Sequence, residues 1–308
     1  MSPTPPPQKQ GTGLLFAIGA YGLWGILPVF FLALMPASPV EIVAARILFS
    51  LVFCFVLIAI TRSGLAFAAT LRDRRSMLLL ALAGVLILTN WLTYVFAATT
   101  GHVVEAALGY FLNPIVTVLL GVFLLRERLR PLQWAAIGLS AVAALVLAIG
   151  YGSVPWIALI LAFSFGIYGL VKKQVGPRVD AITGLTIETM WLSPLALAAL
   201  IVIGVTTGLT TGTVSAWHTA LMLSAGVVTA VPLLFFAAAA RRLKLTVLGL
   251  SQYLAPLLQF LFGVIALHED MPFERWVGFG LVWVALLILT VDMFIAGRGP
   301  RRTALEPA

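Results

Sequence analysis

Charge is what this chain has least of. Asp, Glu, Lys and Arg make up 10% of its 308 residues, against about a quarter in soluble domains, and a water-soluble fold of this length is excluded on that ground. Cysteine is nearly absent. The single Cys54 rules out an intramolecular disulfide and a cysteine-based metal site. Three histidines, His102, His218 and His268, lie without HExxH or clustered ligand spacing, so no metal is expected. The chain carries no GxxxxGK[ST] loop to cradle phosphates, no GxSxG elbow and no paired intramembrane aspartates, and its loops are too short for an ATP-hydrolysing domain. Neither an enzyme nor a cofactor is expected, and any driving force must come from ion or substrate gradients.

Apolar sequence is abundant: 61% of the residues are hydrophobic and the mean hydropathy is +1.09. The apolar stretches reach the roughly 20 helical residues that cross a hydrocarbon core of about 30 Å. Ten are predicted, over residues 14–34, 40–60, 76–98, 104–124, 132–149, 154–172, 180–203, 217–240, 246–267 and 273–295. The expected architecture is an all-α integral membrane protein of ten transmembrane helices. The run from Leu14 to Leu34 is too long for a signal-peptide core, and further spans follow it, so it reads as a retained helix. Residues 1–13, rich in proline and polar residues, are expected to form a disordered tail, and residues 296–308 a basic one.

The net charge of +8 is distributed as a membrane protein distributes it. With the N-terminus placed inside, all but two of the 19 lysines and arginines fall in loops or tails on one side, Arg275 and Arg46 being the exceptions. That is the positive-inside pattern, and it predicts cytoplasmic N and C termini in a bacterial inner membrane. The short basic loops match anionic lipid headgroups, and no nucleic-acid partner is expected. The sequence carries no indication of oligomeric state.

The chain repeats itself at an offset of 142 residues. Ala83 to Val85 align with Ala225 to Val227, and Leu112-Asn113-Pro114 with Leu254-Ala255-Pro256. Among rarer residues Gly121 aligns with Gly263, Glu127 with Glu269, Trp134 with Trp276 and Gly138 with Gly280. Residues 14–149 form one repeat and 154–295 the other. Each holds five spans, an odd number, so the second copy must be inverted. The charges agree independently: the loop around Glu127 is basic, whereas its counterpart reads His268-Glu269-Asp270. Two inverted five-helix repeats suit a carrier that alternates access to a central small-molecule site; a passive conduit on the same scaffold is the alternative.

Helix-breaking residues at matched positions point to such a site. Pro114 and Pro256 lie mid-span, and each lacks the N–H that would bond the carbonyl four residues earlier, of Tyr110 and Gln252. Asn113 and Tyr253 add hydrogen-bonding groups beside them, and Asn90 and Trp91 add a polar and aromatic pair in the third span. An amide in a span can equally join helices. Gly19, Gly22 and Gly25 read as close packing. A charge at mid-membrane costs about 2.5–3.5 kcal/mol on insertion scales, which singles out Arg46 and Glu188, at equivalent positions of the two repeats. Glu188 is a candidate for a substrate cation or a coupling proton, with a structural partnership to Arg46 or backbone as the alternative. Glu105, at the outer start of the fourth span, is a cap or an outer gate.

The segments Glu105 to Pro114, Asn90-Trp91, Ile187-Glu188-Thr189-Met190-Trp191-Leu192-Ser193-Pro194, Gly249 to Pro256 and Ala20 to Ile26 resemble the RarD subgroup of the EamA family, in the drug/metabolite transporter superfamily. The resemblance spans nearly the whole chain, apart from the proline-rich leader. It implies a transporter of the cytoplasmic membrane, a group name tied to chloramphenicol sensitivity, and relatives that move amino acids and other metabolites outward. It also adds Trp191 to the candidate site.

Overall fold

The computed structural model describes residues 7–99, 103–149 and 156–265, together with single helical positions between 273 and 292. The described residues form helices and their connections only. They are α1 (Pro7–Ala33), α2 (Pro39–Thr61), α3 (Gly64–Arg72), α4 (Arg74–Thr99), α5 (Val103–Leu125), α6 (Pro131–Ile149), α7 (Trp156–Val175), α8 (Ala181–Thr206), α9 (Ala216–Arg242), α10 (Leu245–Ser251) and α11 (Leu254–Ile265). Five of these, within α2, α4, α7, α8 and α9, are long and apolar enough to cross a membrane on length and composition. Large apolar side chains cover the outside, among them Phe55, Leu78, Phe123, Trp156, Val205 and Trp217. An apolar surface of that extent suits lipid rather than water.

Helix starts follow capping chemistry. Ser38 caps α2 by accepting the Glu41 N–H, and Asp180 caps α8 by accepting the Thr183 N–H. Both caps satisfy an orphan donor of the first turn, and the two stand 142 residues apart. Three boundaries differ from the sequence expectation. Helix α1 begins at Pro7 rather than after residue 13, because a proline is well tolerated in a first turn whose N–H groups are unpaired anyway; Gly13 there lies against Arg242 and Leu243. A short helix, α3, occupies the loop after the second span. The ninth span is two helices, α10 and α11, parted at Gln252-Tyr253.

The packing obeys the repeat. Exchanging the halves turns α1 into α7, α2 into α8, α4 into α9, and α5 into α10–α11. Under that exchange the α1–α9 contact becomes α7–α4, α2–α9 becomes α8–α4, and α5–α7 becomes the contact of α11 with α1; all of these occur. The self-paired contacts, α2 with α8 and α5 with α10, lie between the halves. Small residues permit the approach. A Cβ on Gly226 would fall 2.2 Å from the carbonyl carbon of Phe49, and one on its equivalent Gly84 would fall 3.4 Å from the Glu188 carbonyl. Ser50 Oγ donates to the Gly226 carbonyl at 3.0 Å across the same contact.

Gly226 therefore lets α2 and α9 meet at backbone contact. Gly226→Ala is expected to destabilise the protein by about 1–3 kcal/mol through overpacking, whereas Gly22→Ala, with no atom within 4 Å of the new Cβ, should be neutral or slightly stabilising. Thermal unfolding of both variants in detergent checks this; equal melting temperatures would contradict the packing described.

Candidate substrate cavity

A helix buries one stripe, and in α1 and α4 the stripes that meet the bundle axis are aromatic. Tyr21, Trp24, Leu27 and Phe31 recur every three or four residues along α1, and Ile87, Asn90, Trp91 and Tyr94 follow the i, i+3, i+4, i+7 pattern of one helix face along α4. These two faces meet Arg46 of α2, Tyr110 and Asn113 of α5, Phe165 of α7, Leu233 of α9, and Gln252, Ala255 and Pro256 at the α10–α11 break. Between them lies about 900 Å³ free of protein atoms, part of it open to the exterior.

The cavity's one charged lining group among the described residues is the Arg46 guanidinium. Its Nε donates to Thr229 Oγ1 at 2.7 Å, and its Cζ lies 4.6 Å from the Trp91 ring centre and 5.1 Å from that of Phe31. Cation–π contacts of this kind hold a guanidinium without neutralising it. Asn90 spends its amide N–H groups on the Leu161 carbonyl (3.0 Å) and Ser164 Oγ (3.1 Å), joining α4 to α7. Asn113 is 2% exposed, and its Oδ1 has no hydrogen-bond partner among the described residues. Gln252 accepts from Thr117 at 3.5 Å, which ties the break to α5.

Toward the end of the bundle that carries the basic residues, the cavity closes on stacked rings. Tyr21, Trp24 and Phe165 form its floor, with Phe236 and Tyr168 beneath, the last two stacked at 5.6 Å and 17°. Below this layer Tyr168 donates to Glu188 Oε2 at 3.1 Å, and Lys172 Nζ lies 2.5 Å from Glu188 Oε1. Helix α10 is pinned at the same end. Tyr21 donates to the Leu248 carbonyl at 3.2 Å, Glu127 accepts the Leu245 and Thr246 N–H groups at 2.8 and 2.9 Å, and Lys173 donates to the Leu243 carbonyl.

Of the residues singled out in the sequence, Arg46, Asn90, Trp91, Tyr110, Asn113, Gln252 and Pro256 line this one cavity. Others stand apart. Glu188 is held by Lys172 and Tyr168 and does not line it, and the partners of Arg46 are Thr229, Trp91 and Phe31. Tyr253 is buried with Phe111 and Ala143 on another face. Trp191 is 53% exposed on the perimeter. The side chains of Glu105 and Pro114 lie outside the described residues. The carbonyl of Gln252 is not left free by Pro256, because the Ala255 N–H reaches it at 3.3 Å in a tightened turn. Gly19 and Gly25 do pack closely, on Phe235 and Leu258, whereas Gly22 faces open space. Lys172, assigned to a loop by its position in the sequence, is buried within α7. The α1 aromatics and Tyr94 were legible as stripes of helical period; Lys172 had no such signal.

An all-helical bundle of inverted repeats, clothed in apolar side chains and enclosing a lined cavity, defines a multi-pass membrane transporter. The EamA-like transporter family model matches the chain twice, over residues 11–149 and 153–291, and the chain belongs to that family. It is 48% identical to Protein RarD of Streptomyces exfoliatus, over 95% of this chain and 92% of that one. It is 41% identical to Protein RarD of Escherichia coli K12, over 93% and 96%, and 40% identical to an uncharacterized transporter of Vibrio cholerae, over 97% and 98%. A crystal structure of a protein 19% identical in sequence shares the fold, with a TM-score of 0.70, covering 91% of this chain and 98% of the other.

The Lys172–Glu188 pair is buried on both sides, its side chains 5% and 1% exposed. Removing one member of such a pair leaves the other charge uncompensated and costs about 3–5 kcal/mol, whereas replacing both by apolar groups of similar volume is often neutral. Glu188→Leu and Lys172→Met should each lower the melting temperature sharply, and the double variant should recover most of the loss. A double-mutant cycle by thermal unfolding measures this, and additive losses would contradict the pairing.

Proposed function

We propose that the chain is a secondary transporter of the bacterial inner membrane that moves a small amphipathic molecule by alternating access, with the cavity around Arg46 as its single site. The observation that carries this is the position of the cavity. It lies where the two halves meet, lined by elements of both, and the aromatic layer bounds it toward the basic end. The positive-inside pattern makes that end cytoplasmic, so the layer stands between the cavity and the cytoplasm. A carrier needs a second state in which Tyr21, Trp24, Phe165 and Phe236 part and the opposite end closes.

Glu188 enters this scheme beneath the floor rather than as a ligand in the cavity. Tyr168 both stacks in the floor and donates to Glu188, so parting the rings disturbs the ion pair, and a coupling proton would be taken up there. Counterflow in proteoliposomes tests the carrier. Vesicles loaded with unlabelled amino acids, aromatic acids or chloramphenicol should transiently accumulate the labelled compound, and the flux should saturate. Non-saturating flux without counterflow would replace the carrier with a passive conduit. If pH-gradient-driven accumulation is unchanged in the Lys172→Met/Glu188→Leu variant, Glu188 has no part in coupling.

A further inference from the structure

The cavity combines features that together select a ligand by charge. An arginine inside a membrane bundle is expensive and marks a substrate or ion pathway unless it is neutralised, and no carboxylate among the described residues lines the cavity with Arg46. Thr229 takes only Nε, and among the described residues the two Nη groups donate to none, which leaves the edge that binds a carboxylate in bidentate fashion. Trp91 and Phe31 fix the guanidinium plane, so little side-chain freedom remains to be lost on binding. The remaining walls, Trp24, Tyr94, Tyr110 and Phe165 among them, are rings suited to a planar apolar body. The Asn113 carbonyl oxygen, buried and without a partner, calls for a donor supplied by the ligand, since an unmade hydrogen bond there costs about 1–3 kcal/mol.

We infer that the cavity takes a monoanion: a carboxylate on an aromatic or similarly flat apolar body, held by the Arg46 guanidinium, with a hydroxyl that donates to Asn113. This rests on the cavity being the transport site and specifies the chemistry of what it carries. Neutral and cationic molecules of the same shape leave the guanidinium buried and unpaired, and discrimination against them follows from that charge. A ligand lacking the donor loses less, because it forgoes one hydrogen bond.

The test uses the full chain in lipid nanodiscs and four compounds of one shape: 3-phenyllactate, 3-phenylpropionate, 3-phenyllactamide and 2-phenylethylamine. Calorimetric titration is expected to give phenyllactate a Kd at least tenfold below those of the amide and the amine, with phenylpropionate between. Arg46→Gln should abolish the preference for the acids, and Asn113→Ala should abolish the difference between phenyllactate and phenylpropionate. The comparison among ligands on the unmodified protein stands even if a variant fails to fold. Binding of the amide or the amine as tightly as the acid overturns the inference, as does binding of neither acid at millimolar concentration. Counterflow for neutral or cationic compounds alone would remove the anion and keep the carrier, whereas conduit-like flux removes the carrier itself.

Discussion

A polar group in a bilayer has no water to turn to, and this one constraint organises the molecule. Glu41, in the first turn of α2, gathers the N–H groups and hydroxyls of Thr210 and Thr211. Glu127 caps α10, Asp292 takes Arg130 and Gln133, and Lys172 turns inward to Glu188. Each of these ties together segments that apolar packing would leave free to slide, because hydrocarbon outside the bundle is as apolar as the helix faces within it. Against that background Arg46 and Asn113 are conspicuous. They are buried polar groups whose partners among the described residues are rings, one hydroxyl, or none, and both sit on the same cavity.

Sequence made the large-scale organisation legible because it is written in signals that do not depend on tertiary detail. Hydropathy marked apolar spans, five of which stand as long apolar helices, and the 142-residue offset set the relation of the halves, which the packing of α1 on α9 and α4 on α7 repeats. The site was legible in part, through residues whose type is costly in lipid: Arg46, Asn90, Asn113 and Gln252 all reach the cavity. It misled where position along the chain stood in for position in space. Lys172 was counted with the loop beyond it, although a lysine stem is long enough to reach back to Glu188 from the end of α7. Equivalence under the repeat likewise set Arg46 against Glu188, yet each found nearer partners, because the environment of a charge depends on the side chains packed round it and those differ between the halves.

That difference is itself informative. Pro114 and Pro256 occupy equivalent positions and would impose the same local defect if the ring alone decided the outcome. Helix α5 nevertheless runs unbroken from Val103 to Leu125, while its counterpart parts at Gln252-Tyr253. The break is therefore set by what surrounds the proline: Glu127 and Lys173 holding the start of α10, Tyr21 on the Leu248 carbonyl, and the aromatic layer alongside. A helix already lacking one hydrogen bond can bend or straighten at that point without forfeiting another. In an inverted pair such a joint is present on both sides of the cavity. With one joint broken and the other unbroken, the two halves hold different shapes of one motif, so the same sequence feature is compatible with either shape and the contacts around it decide which is taken.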